Sequence, residues 1–276
     1  MSASVNHTVG KIKGSFRSLL QFRYVPPVFI SIILLFGHLT FGILESFEAI
    51  LLAVGSAMAT DLILSRFIHG KWKNVSSAYI SGISVSILIR SILLRPFVLV
   101  SIISIASKYV LRYKNRHIWN PSNFGISWFL FFAPSTVSGL SIQWGNNILP
   151  MLVIWILGLF IVIRAKRFHI SLTYVAGFIL FSYLRSLFTG AHFITELAPL
   201  TGPMYQLFVF FMITDPATTV GNRKGQILVA FLIALVEFVL RLNQFIYAPF
   251  YSLFLVGPIA MVIHLNIKHR TVKNNS

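Results

Sequence analysis

Phe47-Glu-Ala-Ile-Leu-Leu-Ala-Val-Gly-Ser-Ala-Met-Ala-Thr-Asp-Leu-Ile-Leu-Ser65 carries only Glu48 and Asp61 as charges, and Arg66, Lys71 and Lys73 follow it directly. At a rise of about 1.5 Å per residue, a helix of this length is roughly 28 Å long. The hydrocarbon core of a bilayer is about 30 Å thick. The stretch therefore predicts a membrane-spanning helix that stops at a basic end.

The same unit recurs along the chain. Apolar runs occupy residues 26–44, 47–65, 77–94, 96–111, 122–141, 148–163, 170–188, 199–214, 225–242 and 247–265, which predicts about ten transmembrane helices. The runs near 96, 148 and 199 are short for a full crossing. Of the 276 residues, 56% are hydrophobic and 11% charged, with a mean hydropathy of +0.81. Soluble domains carry roughly 25% charged residues, so an ordinary soluble domain is excluded. The expected fold is an all-α polytopic membrane protein. Cysteine is absent, which rules out disulfides, thiolate nucleophiles and cysteine-ligated metal clusters.

Charge supplies an independent check, because Lys and Arg accumulate in cytoplasmic loops. Lys11, Lys13, Arg17, Arg23, Arg66, Lys71, Lys73, Lys108, Arg112, Lys114, Arg116, Arg164, Lys166, Arg167, Arg223, Lys224, Lys268, Arg270 and Lys273 fall on one side, 19 of the 23 bases. The other side receives Arg90, Arg95, Arg185 and Arg241 with Glu45, Glu48 and Glu196. Both termini are thus expected in the cytoplasm, with the body in the cell's inner or plasma membrane. A net charge of +17 would otherwise point to nucleic acid. Spread over every inner loop, the bases instead read as topology determinants, and no nucleic-acid partner is expected. Residues 1–25 form a basic, acid-free segment, which also suits a transit peptide but reads more simply as a cytoplasmic lead. Residues 26–265 form one transmembrane domain and residues 266–276 a cytoplasmic tail. Ten spans divide into halves 26–141 and 148–265, and an odd number of crossings per half makes an inverted repeat available.

Polar groups in hydrocarbon are costly, roughly 2.5–3.5 kcal/mol for a charge on insertion scales. His38 lies near the middle of the first predicted span, Glu237 within the ninth, and Asp61 and Asp215 toward the cytoplasmic ends of the second and eighth. Glu237 stands four residues before Arg241, the favourable order for a same-face ion pair. Asp61 is placed to cap or to pair with bases near Arg66, or to line an ion route. His38 reads as an interhelical hydrogen-bonding group, since a transmembrane haem needs a second intramembrane histidine and His264 lies near the inner edge. Ala53, Gly55, Ala57 and Ala59, with Ser77, Ser81, Gly82, Ser84 and Ser86, predict close helix packing or a hydroxyl face for a polar cofactor or permeant.

Two segments break the apolar pattern at the basic side: Asn120-Pro-Ser-Asn-Phe-Gly125 and Thr214-Asp-Pro-Ala-Thr-Thr219. In each, Asn or Asp precedes Pro, as at an N-cap followed by the first helical position. Asn120 and Asp215 should each start a helical turn, whose free amides receive phosphate or the polar edge of a ring. The alternative is a pair of capped turns at the membrane edge. Trp119 and Phe124 flank the first turn, as ring-stacking groups or interfacial anchors.

His117-Ile-Trp-Asn-Pro-Ser-Asn-Phe-Gly125 and Phe211-Met-Ile-Thr-Asp-Pro-Ala-Thr-Thr219, followed by Asn222-Arg-Lys-Gly225, resemble the Asn-Pro and Thr-Asp-Pro segments of the RnfD/NqrB family. These are membrane subunits of the Rnf and sodium-pumping NADH:quinone oxidoreductase complexes. The likeness extends from about residue 47 to 265. It implies two inverted five-helix halves, a flavin held in the bundle, and electron transfer with companion subunits. The family also carries FMN covalently on a threonine in an outer segment between the fifth and sixth spans. Here that segment is only Ser135-Thr-Val-Ser-Gly-Leu-Ser-Ile-Gln-Trp-Gly-Asn-Asn147. Neither Ser138-Gly-Leu-Ser141 nor Thr189-Gly-Ala-His192 restores the attachment motif, so covalent FMN is expected to be absent. The chain is more similar to the compact, UnbU-like branch of the family.

The resulting expectation is a non-catalytic or redox-carrier subunit holding FMN or riboflavin noncovalently in the bilayer. Its cofactor contacts would be Asn120, Pro121, Asn123, Phe124, Gly125, Thr214, Asp215, Pro216, Thr218 and Thr219. No catalytic residue and no metal site is expected. A transporter or channel using Asp61, Glu237 and His38 is the competing reading, and an inactive membrane scaffold is a third.

Overall fold

The computed structural model describes Ser31, Ile32, Leu35, Leu39 and residues 46–72, 74–139 and 148–274. The expected first span, with His38, and residues 140–147 of the outer segment lie outside the described residues, apart from those four positions. Among the described residues the chain is predominantly helical, with ten α-helices. They are α1 (Phe47–His69), α2 (Ser76–Leu88), α3 (Arg95–Val110), α4 (Pro121–Phe132), α5 (Ile148–Arg164), α6 (Phe168–Thr189), α7 (Phe193–Leu197), α8 (Pro203–Leu207), α9 (Arg223–Leu242) and α10 (Ala248–Asn274). Four stretches among the described residues, Phe47–His69, Phe168–Thr189, Arg223–Leu242 and Ala248–Arg270, are long and apolar enough to cross a membrane.

The opening stretch shows how sequence becomes helix. Ser46 accepts from the Ala49 amide at 3.1 Å and caps α1, Glu48 sits in its first turn, and Arg66 and His69 sit in its last. Glu48 and Arg66 each match their end of the helix dipole. Ala49, Ala53, Ala57, Asp61 and Ser65 are buried, one every four residues, so a single narrow stripe of small side chains faces the bundle. Against it lies α2, so close that a Cβ on Gly82 would stand 2.7 Å from the Val54 Cα. Gly55 and Ala59 face outward instead. Gly125 marks a second close crossing, where a Cβ would stand 2.7 Å from the Val100 carbonyl oxygen of α3.

Three expected spans have different boundaries. The run 77–94 is helical only to Leu88, because Ile89–Arg90 (β1) pairs antiparallel with Ser138–Gly139 (β4). The run 122–141 leaves the helix after Phe132, just before Pro134, whose ring disfavours helix in the residue preceding it. The run 199–214 is broken into a 3₁₀ turn (Ala198–Thr201), α8, and a π-helical turn over Phe208–Met212. Pro199 and Pro203 lie at the starts of the first two pieces.

Helices α1 to α4 pack on one another, and α5, α6, α8, α9 and α10 form a second group, with α4 against α10 at the seam. The seam is polar in places. Asn123 and Ser127 each donate to the Phe250 carbonyl at 3.2 Å. Pro258 lies inside α10 and has no N–H for the carbonyl four residues earlier, that of Phe254. The Trp119 indole N–H donates to that oxygen at 2.9 Å. Trp119 therefore completes a proline-broken helix rather than standing free to stack on a ligand.

Candidate functional site

Hydrogen bonds gather the basic loops at one end of the bundle. Arg112–Tyr113 (β2) and Arg116–His117 (β3) form a two-residue hairpin through Lys114 and Asn115, both at positive φ, as tight hairpin turns require. The Tyr113 hydroxyl and the Lys114 ammonium donate to Asn266 Oδ1 at 2.7 and 2.8 Å, fastening the hairpin to α10. Arg116 donates to the Ala217 carbonyl at 2.9 Å, which brings in the Asp-Pro segment.

The two proline turns meet. Asn120 caps α4 by accepting from the Asn123 amide at 3.1 Å and the Ser122 hydroxyl at 2.9 Å. Its Nδ2 donates to Asp215 Oδ2 at 3.3 Å. Asp215 also accepts from the Ala217 amide at 3.0 Å and the Thr218 hydroxyl at 2.9 Å. A helical turn was expected to start at each residue. At Asn120 a helix follows, whereas at Asp215 only one turn forms, closed by the Thr219 amide on the Asp215 carbonyl at 3.2 Å. In both turns the leading side chain accepts from one amide of the turn that follows it.

That space is a cavity of about 210 Å³. Asn120, Pro121, Thr214, Asp215 and Pro216 border it, together with Ser77, Ser81 and Ser84 of α2, Lys108, His117 and the π-turn residues Phe210, Phe211 and Met212. Outside it lies a cavity of about 600 Å³, also bordered by Ser77, Ile80, Lys108 and His117 and reaching Asp61, Asn74 and Arg112. The shared walls make one recess with an inner and an outer chamber. Asn123 instead turns to α10. Phe124 packs on Trp119 and Phe254, with ring centroids 5.7 and 5.5 Å away. Gly125 fits against α3, while Thr218 and Thr219 bond back to Asp215. The expected contacts thus divide into residues on the recess and residues that hold its turns.

Lys108, His117 and the π-turn were not among the expected contacts. The sequence marks Lys108 only as one of the bases on the inner side. Lys108 Nζ lies 3.0 Å from Asp61 Oδ1 and 2.8 Å from Ser77 Oγ, and the Tyr109 hydroxyl donates to the same Asp61 oxygen at 3.0 Å. Asp61, 3% exposed, takes Lys108 as its partner rather than a base near Arg66. Ser81 and Ser84 donate to carbonyls four residues back, at 3.0 and 2.9 Å. They can therefore offer lone pairs, rather than donors, to the recess.

Burial dominates the electrostatics of the two basic side chains His117 and Arg167 near the recess. Burial lowers the His117 pKa, and Lys108, Arg112 and Arg116 push it the same way against the pull of Asp215. Burial and Arg116 likewise lower that of Arg167, which Asp215 opposes. Arg167 Nη1 is buried without a hydrogen-bond partner among the described residues.

The second group of helices holds a separate polar cluster. Glu237, 1% exposed, accepts from the Tyr174 hydroxyl and from the Tyr205 hydroxyl at 2.7 Å. Arg241 turns to Glu196 at 3.1 Å, where Arg185 joins it. The expected Glu237–Arg241 pair is therefore replaced: two phenols satisfy the acid, and the base goes to a carboxylate at the far end. Ser138–Gly139 also lies at that far end, paired with Ile89–Arg90.

Fold and recess define a class: an apolar helical bundle compatible with lipid contact, with a polar, cation-flanked recess at its basic end. No protein-family model matches the chain, and no curated protein does.

Proposed function

We propose that the chain is an integral membrane subunit of an RnfD/NqrB-like electron-transport system, holding a flavin noncovalently in the recess and exchanging electrons with partner subunits. The observation that carries this reading is the meeting of the Asn-Pro and Asp-Pro turns, joined by the Asn120–Asp215 hydrogen bond, over a shared cavity. These are the same two segments on which the family likeness rests. Ligand pockets usually measure about 300–1,000 Å³, and the two chambers together fall in that class.

The residues present fit such a guest. Asn120 Nδ2 and Lys108 Nζ are donors on the recess, Ser81 and Ser84 present acceptors, and Phe210, Phe211 and Met212 supply an apolar wall. Lys108 on the recess offers positive charge to a reduced ring or a phosphate tail, in competition with the carboxylates of Asp61 and Asp215 that share its walls. A bound flavin would supply one- and two-electron chemistry, while the protein binds, orients and shields it.

The wider reading is a ten-span bundle of two inverted halves with both termini cytoplasmic, in the cell membrane. Two equivalent helix pairings support it. The contact of α1 with α3 has its counterpart in that of α6 with α9, and α3 with α4 in α9 with α10. The third span of each expected half is interrupted, at β1 in one and at the 3₁₀ and π turns in the other. Broken helices near the repeat interface are where transport folds of this kind build their sites.

The test is acid precipitation of the purified protein followed by flavin fluorescence. Release of about one flavin per chain into the supernatant is expected, with at least tenfold less from Asp215→Ala. Flavin retained on the pellet overturns the noncovalent reading. A colourless protein that moves ions in liposomes would favour the transporter reading, for which the buried Asp61–Lys108 pair beside the outer chamber is the specific observation.

A further inference from the structure

The surface between α9 and α10 carries a second cavity, of about 550 Å³, unrelated to the recess. Its walls are Leu228, Leu232 and Val236 from α9 and Val256, Ile259 and Ile263 from α10. It runs eleven residues along α9, from Gly225 to Val236, and twelve along α10, from Val256 to Lys268. At about 1.5 Å per residue that is roughly 17 Å, close to half of a 30 Å hydrocarbon core, or one leaflet. An apolar groove of one leaflet's depth matches an acyl chain.

The mouth is chemically different from the walls. Asn222, His264 and Lys268 border it, and the exposed Arg223 and Lys224 follow Asn222 in the first turn of α9. His264 Nε2 accepts from the Gly221 amide at 3.2 Å, which fixes the imidazole at the rim. The Asn222 side chain makes no cap bond to α9, so the positive end of that helix dipole faces the same rim. No Asp or Glu occurs after residue 237. The rim is thus basic with no acid from α10 to neutralise it.

We infer that this groove is a binding site for an anionic phospholipid, one acyl chain lying between α9 and α10 and the phosphate at Lys268, His264 and the start of α9. Charge complementarity selects the head group, and groove depth selects a lipid over a free anion. The inference rests on the membrane-spanning reading of α9 and α10 and is independent of the flavin.

The experiment is native mass spectrometry of the full chain in detergent, supplied with phosphatidylglycerol or phosphatidylcholine. One phosphatidylglycerol should remain bound, at least fivefold more than phosphatidylcholine. Lys268→Gln, a surface change, should cut that preference about fivefold, as expected for one base near an anionic head group, while leaving phosphatidylcholine unchanged. Ala260→Trp, which fills the groove, should abolish retention of both lipids. Equal retention of the two lipids by the unaltered chain, or displacement by millimolar inorganic phosphate, would overturn the assignment. So would a dimer that Ala260→Trp dissociates, since a second copy would then be the occupant. Flavin content should not change in Lys268→Gln, which separates failure here from failure of the electron-transfer reading.

Discussion

The Trp119–Phe254 bond and Pro258 form a matched pair that a double-mutant cycle can read. Trp119→Phe removes the indole donor and leaves the Phe254 carbonyl without the partner that replaces the proline's missing N–H. A buried unsatisfied acceptor costs about 1–3 kcal/mol, and Trp119→Phe should lose that much stability in detergent. In a Pro258→Ala background the helix supplies its own N–H, so the same substitution should cost much less. Purely additive effects would show that the indole contributes packing alone.

His117 gives a pH dependence of definite sign. Its folded pKa lies below the ordinary value of 6.5 because of burial and the nearby bases. Above that value the residue is neutral in both folded and unfolded chains and contributes no pH dependence. As pH falls below it, the unfolded chain takes up a proton that the folded one resists, so stability is lost. The melting temperature should drop between pH 7.5 and 5.5, and His117→Gln should make the drop smaller. An unchanged drop would assign it to another histidine.

Among the helices, spacing decides which substitutions are tolerated. At Gly125 an added Cβ would meet the Ser104 hydroxyl at 2.1 Å and the Val100 carbonyl at 2.7 Å. The first neighbour is removable and the second is backbone. Gly125→Ala should therefore cost about 1–3 kcal/mol through overpacking, with only partial recovery in combination with Ser104→Ala. Full recovery would mean that α3 does not approach as closely as described. Near the recess, the π turn over Phe208–Met212 widens the helix by one residue, closing on the Phe208 carbonyl with the Ile213 amide at 3.2 Å. Such bulges turn side chains that a regular helix would aim elsewhere, and here Phe210 and Phe211 reach the cavity wall.

For the whole molecule, topology is open to direct measurement because the chain has no cysteine, so any introduced thiol is a unique label. Lys71→Cys, in the basic loop after α1, and Thr136→Cys, beside β4, should react with a membrane-impermeant maleimide from opposite sides in intact cells and inverted vesicles. Labelling from the same side would refute the proposed ten-span arrangement and with it the inverted halves.

Helix content and the positions of α1, α6, α9 and α10 follow from apolar runs near 20 residues, because hydrocarbon leaves the backbone no partner but itself. The separation of a basic from a basic-poor end was legible in the same way, since bases mark loops one by one. The Asn-Pro and Asp-Pro turns were visible as local capping patterns, and the structure joins them. Only tertiary packing sent Glu237 to Tyr174 and Tyr205, Arg241 to Glu196, and Asp61 to Lys108. A periodicity argument sees partners on one helix and is blind to those that crossing helices bring in. The recess itself belongs to the second kind of fact, because its walls come from segments more than a hundred residues apart, and no local pattern records which helix ends will meet.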